Sequence, residues 1–127
     1  MDIKSGDSKP IVIDENGNLL MFGSRAAAEG YLEPIDVANK EYVGYDADGR
    51  LLNLSVVRDH GGSLLGRVSG STEAVKLSLA ESAPTHATEL RDKLLRSLKD
   101  TDLWRSDLPD LPLERIVALG LERFKIR

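Results

Sequence analysis

Cysteine is absent from this chain of 127 residues. That excludes disulfides, thiolate metal sites and cysteine nucleophiles, and it removes any need for an oxidising compartment. Aromatic residues are scarce: Phe22, Tyr31, Tyr42, Tyr45, Trp104 and Phe124 are the whole set, so the core must be built from aliphatic side chains. No apolar stretch approaches the ~18–20 residues of a membrane helix. The opening segment MDIKSGDSKP has no apolar run that could serve as a secretion signal. The expectation is a cytoplasmic protein with no membrane partner.

What remains suffices for one domain, residues 1–127, with residues 1–9 a disordered polar tail. The chain is 41% hydrophobic and 30% charged, enough for a core and a solvated surface. Its net charge of −4 is unevenly spread. Residues 1–59 hold eleven acids against six bases, whereas residues 86–127 hold eight against nine. An acidic first half argues against a nucleic-acid partner, whose phosphates require a basic face.

Turn and periodicity signals define the elements. Ile11–Ile13 and Leu19–Phe22 flank Asn16-Gly17, a pair that tolerates the positive φ of a tight hairpin, so strands are expected at about 10–14 and 18–23. Ser24 can cap a helix that runs through Ala26–Ala28 to Tyr31 and Leu32. Pro34 disfavours helical geometry at Glu33 and keeps that helix short. A second hairpin follows, with Glu41–Tyr45, a turn at Asp48-Gly49, and a return along Leu51–Val57. A third pairing is read from Leu64–Val68, a turn at Ser69–Ser71, and the alternating Val75, Leu77 and Leu79. Two helices close the chain. One follows Thr85 with Ala87, Leu90, Leu94, Leu95 and Leu98 on its apolar stripe; the other follows Asp110 and Pro112 with Leu113, Ile116, Val117, Leu121 and Phe124. Trp104 lies in the loop between them and is expected to plug the core. Strands first and helices last indicate an α+β fold: an antiparallel sheet of hairpins, a short helix after the first hairpin, and two C-terminal helices packed on one face.

Catalytic and ligand signatures are missing. Asp14–Asn18 and Asp46–Arg50 resemble pieces of a calcium loop, but the glycine stands fourth instead of sixth and the spaced glutamate is absent. Both read better as acidic turns, so no metal is expected. Gly61–Gly66 lacks the lysine of a phosphate loop, and no cofactor is expected. The histidines are His60 and His86, and no Gly-x-Ser-x-Gly elbow is present. We therefore expect no catalytic residues. The alternative reading is a small enzyme or ligand-binding domain with Asp59, His60 and Ser63 lining a pocket between sheet and helices.

Residues 29–48, EGYLEPIDVANKEYVGYDAD, carry six acids against the single base Lys40, together with all three tyrosines. Carboxylates steer a basic partner, and tyrosine gives broad contact area at low rotamer cost. Glu33, Asp36, Tyr42, Tyr45, Asp46 and Asp48 are the candidate partner-binding residues. Tyr42 and Tyr45 should point to opposite faces of one strand, so only one of them serves a given surface.

The run Tyr31-Leu32-Glu33-Pro34-Ile35-Asp36-Val37, with Glu41-Tyr42-Val43-Gly44-Tyr45-Asp46-Ala47-Asp48-Gly49-Arg50-Leu51, resembles small bacterial immunity proteins encoded beside polymorphic or contact-delivered toxins. That resemblance implies a cytosolic antitoxin that binds one cognate toxin and blocks it without catalysis; the acidic segment, by its charge, suits a toxin with a basic surface. It carries over no contact residues, since immunity interfaces vary from pair to pair.

Overall fold

The computed structural model describes residues 9–59 and 72–126. Its framework is a five-stranded antiparallel sheet made of β1 (Ile11–Glu15), β2 (Asn18–Phe22), β3 (Tyr42–Asp46), β4 (Leu51–Asp59) and β5 (Thr72–Leu79), in the order β2-β1-β3-β4-β5. The helices are α1 (Arg25–Tyr31), α2 (Pro34–Ala38), α3 (Ala87–Leu98) and α4 (Leu113–Phe124), with a 3-10 turn at Leu108–Asp110. This is the expected α+β architecture.

Local chemistry explains the hairpins. Asn16 and Gly17 have φ of 52° and 101°, the left-handed pair that a two-residue turn demands. Asp14 Oδ1 accepts from the Gly17 amide at 2.7 Å and locks it. Between β3 and β4 the loop Ala47–Gly49 closes with the Asp46 amide on the Arg50 carbonyl at 3.0 Å, and Gly49 at φ 94° supplies the left-handed position. A Cβ on Gly49 would stand 2.4 Å from Ala87 Cα, so the turn also seats the start of α3. The β4–β5 hairpin pairs continuously from Leu52–Leu79 to Asp59–Thr72. Val75, Leu77 and Leu79 pair with β4, and the segments expected to form the third pairing with them, Leu64–Val68 and Ser69–Ser71, lie outside the described residues.

Strand alternation sends two sets of apolar side chains to opposite faces. Ile11, Ile13, Phe22, Leu52, Val75 and Leu77 form one core with Ala28, Leu32 and Val37 of the α1–α2 region. Val12, Met21 and Tyr45 form the other with Leu90, Leu94, Leu98, Ile116 and Val117 of α3 and α4. The two C-terminal helices thus share one face, as expected, and α1 and α2 cover the other. Trp104 packs half-buried on the second core.

Pro34 acts in both directions. Glu33 is extended (φ −89°, ψ 128°), which ends α1, and Pro34 itself occupies the first turn of α2. Its fixed φ and missing amide suit that position. The first effect alone gives the short α1 expected from the sequence; the second adds α2, a helix that expectation does not contain.

Among the described residues, both outer strands of the sheet are engaged. Lys125 bridges Met21 in parallel, and the Ile126 amide donates to the Met21 carbonyl at 2.8 Å, which covers part of β2. On β5 the Leu77 amide donates to the Glu29 carboxylate of α1 at 2.9 Å. Such blocking limits edge-to-edge aggregation.

Candidate carboxylate surface around α2 and β3

The acidic segment is divided by the fold into two groups at opposite ends of β3. Five strand residues separate them by about 13 Å. At the start of β3, the connection from α2 is tight: the Lys40 amide donates to the Val37 carbonyl at 2.9 Å and the Glu41 amide to the Asp36 carbonyl at 3.0 Å. Lys40 takes φ 59° to make that corner. Glu41 is thereby folded back against Asp36, and Glu15 arrives from the end of β1, where it is paired with Tyr42. Carboxylate oxygens of Glu15, Asp36 and Glu41 all lie within 4.8 Å of one another, each on a half-buried residue. Among the described residues, none of the three is in an ion pair.

Tyr42 completes this group. Its hydroxyl donates to Asp36 Oδ2 at 3.2 Å while its ring packs on the first core. Burial pushes the Tyr42 phenol up to about 12, helped by the charge and hydrogen bond of Asp36 and by the charge of Glu15. Glu33 stands exposed at the N-cap of α2 and makes no side-chain cap bond. Hard carboxylate oxygens at this spacing could hold a divalent cation, or the ammonium or guanidinium groups of a protein partner. Glu15 was not singled out in the sequence, because its place beside Asp36 depends on β1 pairing with β3. No local signal encodes that pairing.

Asp46 and Asp48, at the other end, are already occupied. Asp46 Oδ1 accepts from the amides of Asp48 at 3.0 Å and Arg50 at 2.8 Å. The Arg50 guanidinium reaches Asp48 at 2.9 Å and Asp46 at 3.4 Å, and donates to the Ser82 carbonyl at 3.1 Å. These acids build the turn and tie it to the segment before α3. Arg50 matches one of their two charges.

Tyr45 points to the opposite face from Tyr42, as strand parity requires, and it is 0% exposed. Its hydroxyl donates to Glu89 and accepts from Lys93 Nζ at 2.6 Å. Lys93 also pairs with Asp14 at 2.7 Å and with Glu89 at 3.6 Å. Burial raises the Tyr45 phenol to about 12, and the Glu89 bond adds to that. The Tyr45 hydroxyl in turn holds the Glu89 carboxyl below its usual range. Tyr45 therefore fastens α3 to the sheet and offers no ring surface to a partner.

One cluster has the composition of a hydrolase triad. Glu81 contacts His86 Nδ1 at 2.8 Å, and Thr85 Oγ1 contacts the same nitrogen at 3.2 Å. A triad needs the acid on one ring nitrogen and the nucleophile on the other, so this arrangement cannot relay a proton between them. It braces the turn into α3 instead. Of the alternative set, His60 and Ser63 lie outside the described residues, as does the Asp59 side chain. No helix among the described residues is long and apolar enough to cross a membrane. In comparison with known proteins, no family model, curated protein or solved structure matches this chain.

Proposed function

We propose that this protein is an antitoxin of the immunity class, acting in the cytoplasm by binding one cognate protein toxin and blocking it without catalysis. The observation that carries this reading is the group formed by Glu15, Asp36 and Glu41. Two carboxylates within 4.8 Å repel by about 1 kcal/mol even at the dielectric of bulk water. A protein stabilised only for its own fold gains nothing from that repulsion. An arriving lysine or arginine relieves it, so the surface favours a basic partner.

A toxin whose groove is built for phosphate presents such cations. Covering them with carboxylates would obstruct substrate while requiring no reaction. Glu33, Asp36 and Tyr42, joined by Glu15 and Glu41, are the contact residues in this account. Asp46 and Asp48 drop to structural roles because they hold the turn amides and Arg50, and Tyr45 does so because it is buried. The resemblance of the Tyr31–Val37 and Glu41–Leu51 segments to immunity proteins points the same way.

The test is co-expression with the product of the gene immediately upstream, which this reading takes to be the toxin. Cells carrying both should grow, and cells carrying the toxin alone should not. Equal killing with and without this protein would overturn the proposal.

A further inference from the structure

The corner between α1 and α2 presents large apolar side chains that the fold leaves half or more exposed. Leu32 and Val37 turn inward and are buried, fastening the corner to the first core. Between and beside them, Tyr31 is 50% exposed and Ile35 is 66% exposed, the highest value among the exposed large apolar residues described. Leu79, at the end of β5 on the sheet face that α1 and α2 cover, is 49% exposed. Three of the five exposed large apolar side chains described thus belong to this layer. The other two, Val43 and Val57, lie on the opposite face.

The corner is also rigid. The Tyr31 ring stands against Phe22 with centroids 5.4 Å apart, and Pro34 fixes the backbone between Tyr31 and Ile35. An aromatic and an aliphatic side chain held ready in this way make good anchors, because little freedom is lost on binding. Acids surround them: Glu33 is exposed between the two anchors, Asp36 follows Ile35, and Glu15 and Glu41 meet Asp36. Lys40 is the one base in residues 29–48. The chemistry is that of an apolar centre inside a negative rim.

We infer that Ile35 and Tyr31 are the apolar anchors of the toxin interface, and that they dock into an apolar recess bordered by lysine or arginine on a basic protein. This deepens the antitoxin reading and rests on it. Charge complementarity selects the partner: a second copy of this chain would bring the same acidic rim and be repelled.

The test measures binding of the purified product of the gene immediately upstream, which the antitoxin reading takes to be the toxin, to wild type, Ile35→Ala, Ile35→Asp and Val57→Asp. Both Ile35 variants should fold, since the side chain is largely exposed, alanine favours a helix, and an acid suits the first helical turn. The aspartate variants carry one more negative charge, so long-range attraction to a basic partner should increase in both. Weaker binding by Ile35→Asp would therefore report the lost apolar contact. Both Ile35 variants should lose affinity by roughly thirtyfold or more, the scale of a hot spot, mainly through faster dissociation, while Val57→Asp stays within about twofold of wild type. Ile35 variants that bind like wild type would remove the corner from the interface and leave the antitoxin reading standing. If wild type fails to bind the toxin, the antitoxin reading falls and the docking site falls with it.

Discussion

Replacing Tyr45 with phenylalanine separates a fold role from an interface role. The substitution keeps the ring that fills the second core and deletes one oxygen. That oxygen donates to Glu89 and accepts from Lys93 at 2.6 Å. Hydrogen bonds to charged groups contribute about 1.5–3 kcal/mol each. Glu89 is half exposed and can turn to water, and Lys93 keeps Asp14 at 2.7 Å, so the net loss should be about 1–2 kcal/mol. For a chain of this length that lowers Tm by about 4–8 °C.

The loss should also depend on pH. The Tyr45 phenol is raised from 10.0 to about 12 in the folded protein, so the folded state resists deprotonation. Its contribution is complete below the unfolded value near pH 10 and disappears as pH rises through the folded value near 12. Wild type and Tyr45→Phe should therefore differ in slope in a plot of Tm against pH between 10 and 12, with the variant flatter. Tyr42 is raised to a similar value, so some slope should remain. Thermal melts by circular dichroism, beside toxin binding at neutral pH, provide the measurement. Unchanged melting together with lost binding would place Tyr45 at the interface and refute the reasoning.

Much of the fold was legible because its signals are local. Asn16-Gly17 and Asp48-Gly49 marked both turns, and the leucine spacing of α3 and α4 marked the faces they bury. The opposition of Tyr42 and Tyr45 followed from the two-residue period of a strand. Which face each would meet did not, since that depends on α3 and α4 covering the Tyr45 side. The pairing of β1 with β3 is likewise long-range, and it alone brings Glu15 to Asp36 and Glu41. Pro34 shows a different limit: one residue can end a helix and begin another, and composition alone does not say which effects operate.

Further outcomes follow from the same geometry. Glu41→Gln should raise stability by up to about 1 kcal/mol through relieved repulsion, measured by chemical denaturation, while slowing association with the toxin and flattening its salt dependence. Asp48→Asn should slow association and flatten its salt dependence less than Glu41→Gln does in stopped-flow binding, because Asp48 lies at the far end of β3 and is paired with Arg50. Gly49→Ala should cost about 2–5 kcal/mol, combining left-handed strain with a steric clash. Gly17→Ala, which has open space around it, should cost only the strain of about 1–2 kcal/mol; equal losses in the two melts would mean that the Gly49–Ala87 approach carries no packing cost.

The proposal that this protein works by direct, non-catalytic binding is tested most directly by titrating it against a fixed amount of a toxin that it protects against in co-expression and recording the remaining toxin activity. The account predicts a linear fall that reaches zero at a fixed whole-number ratio of the two proteins, with activity recovered when the complex is dissociated. Inactivation of many toxin molecules by each molecule of this protein, or activity that persists at any excess, would contradict it.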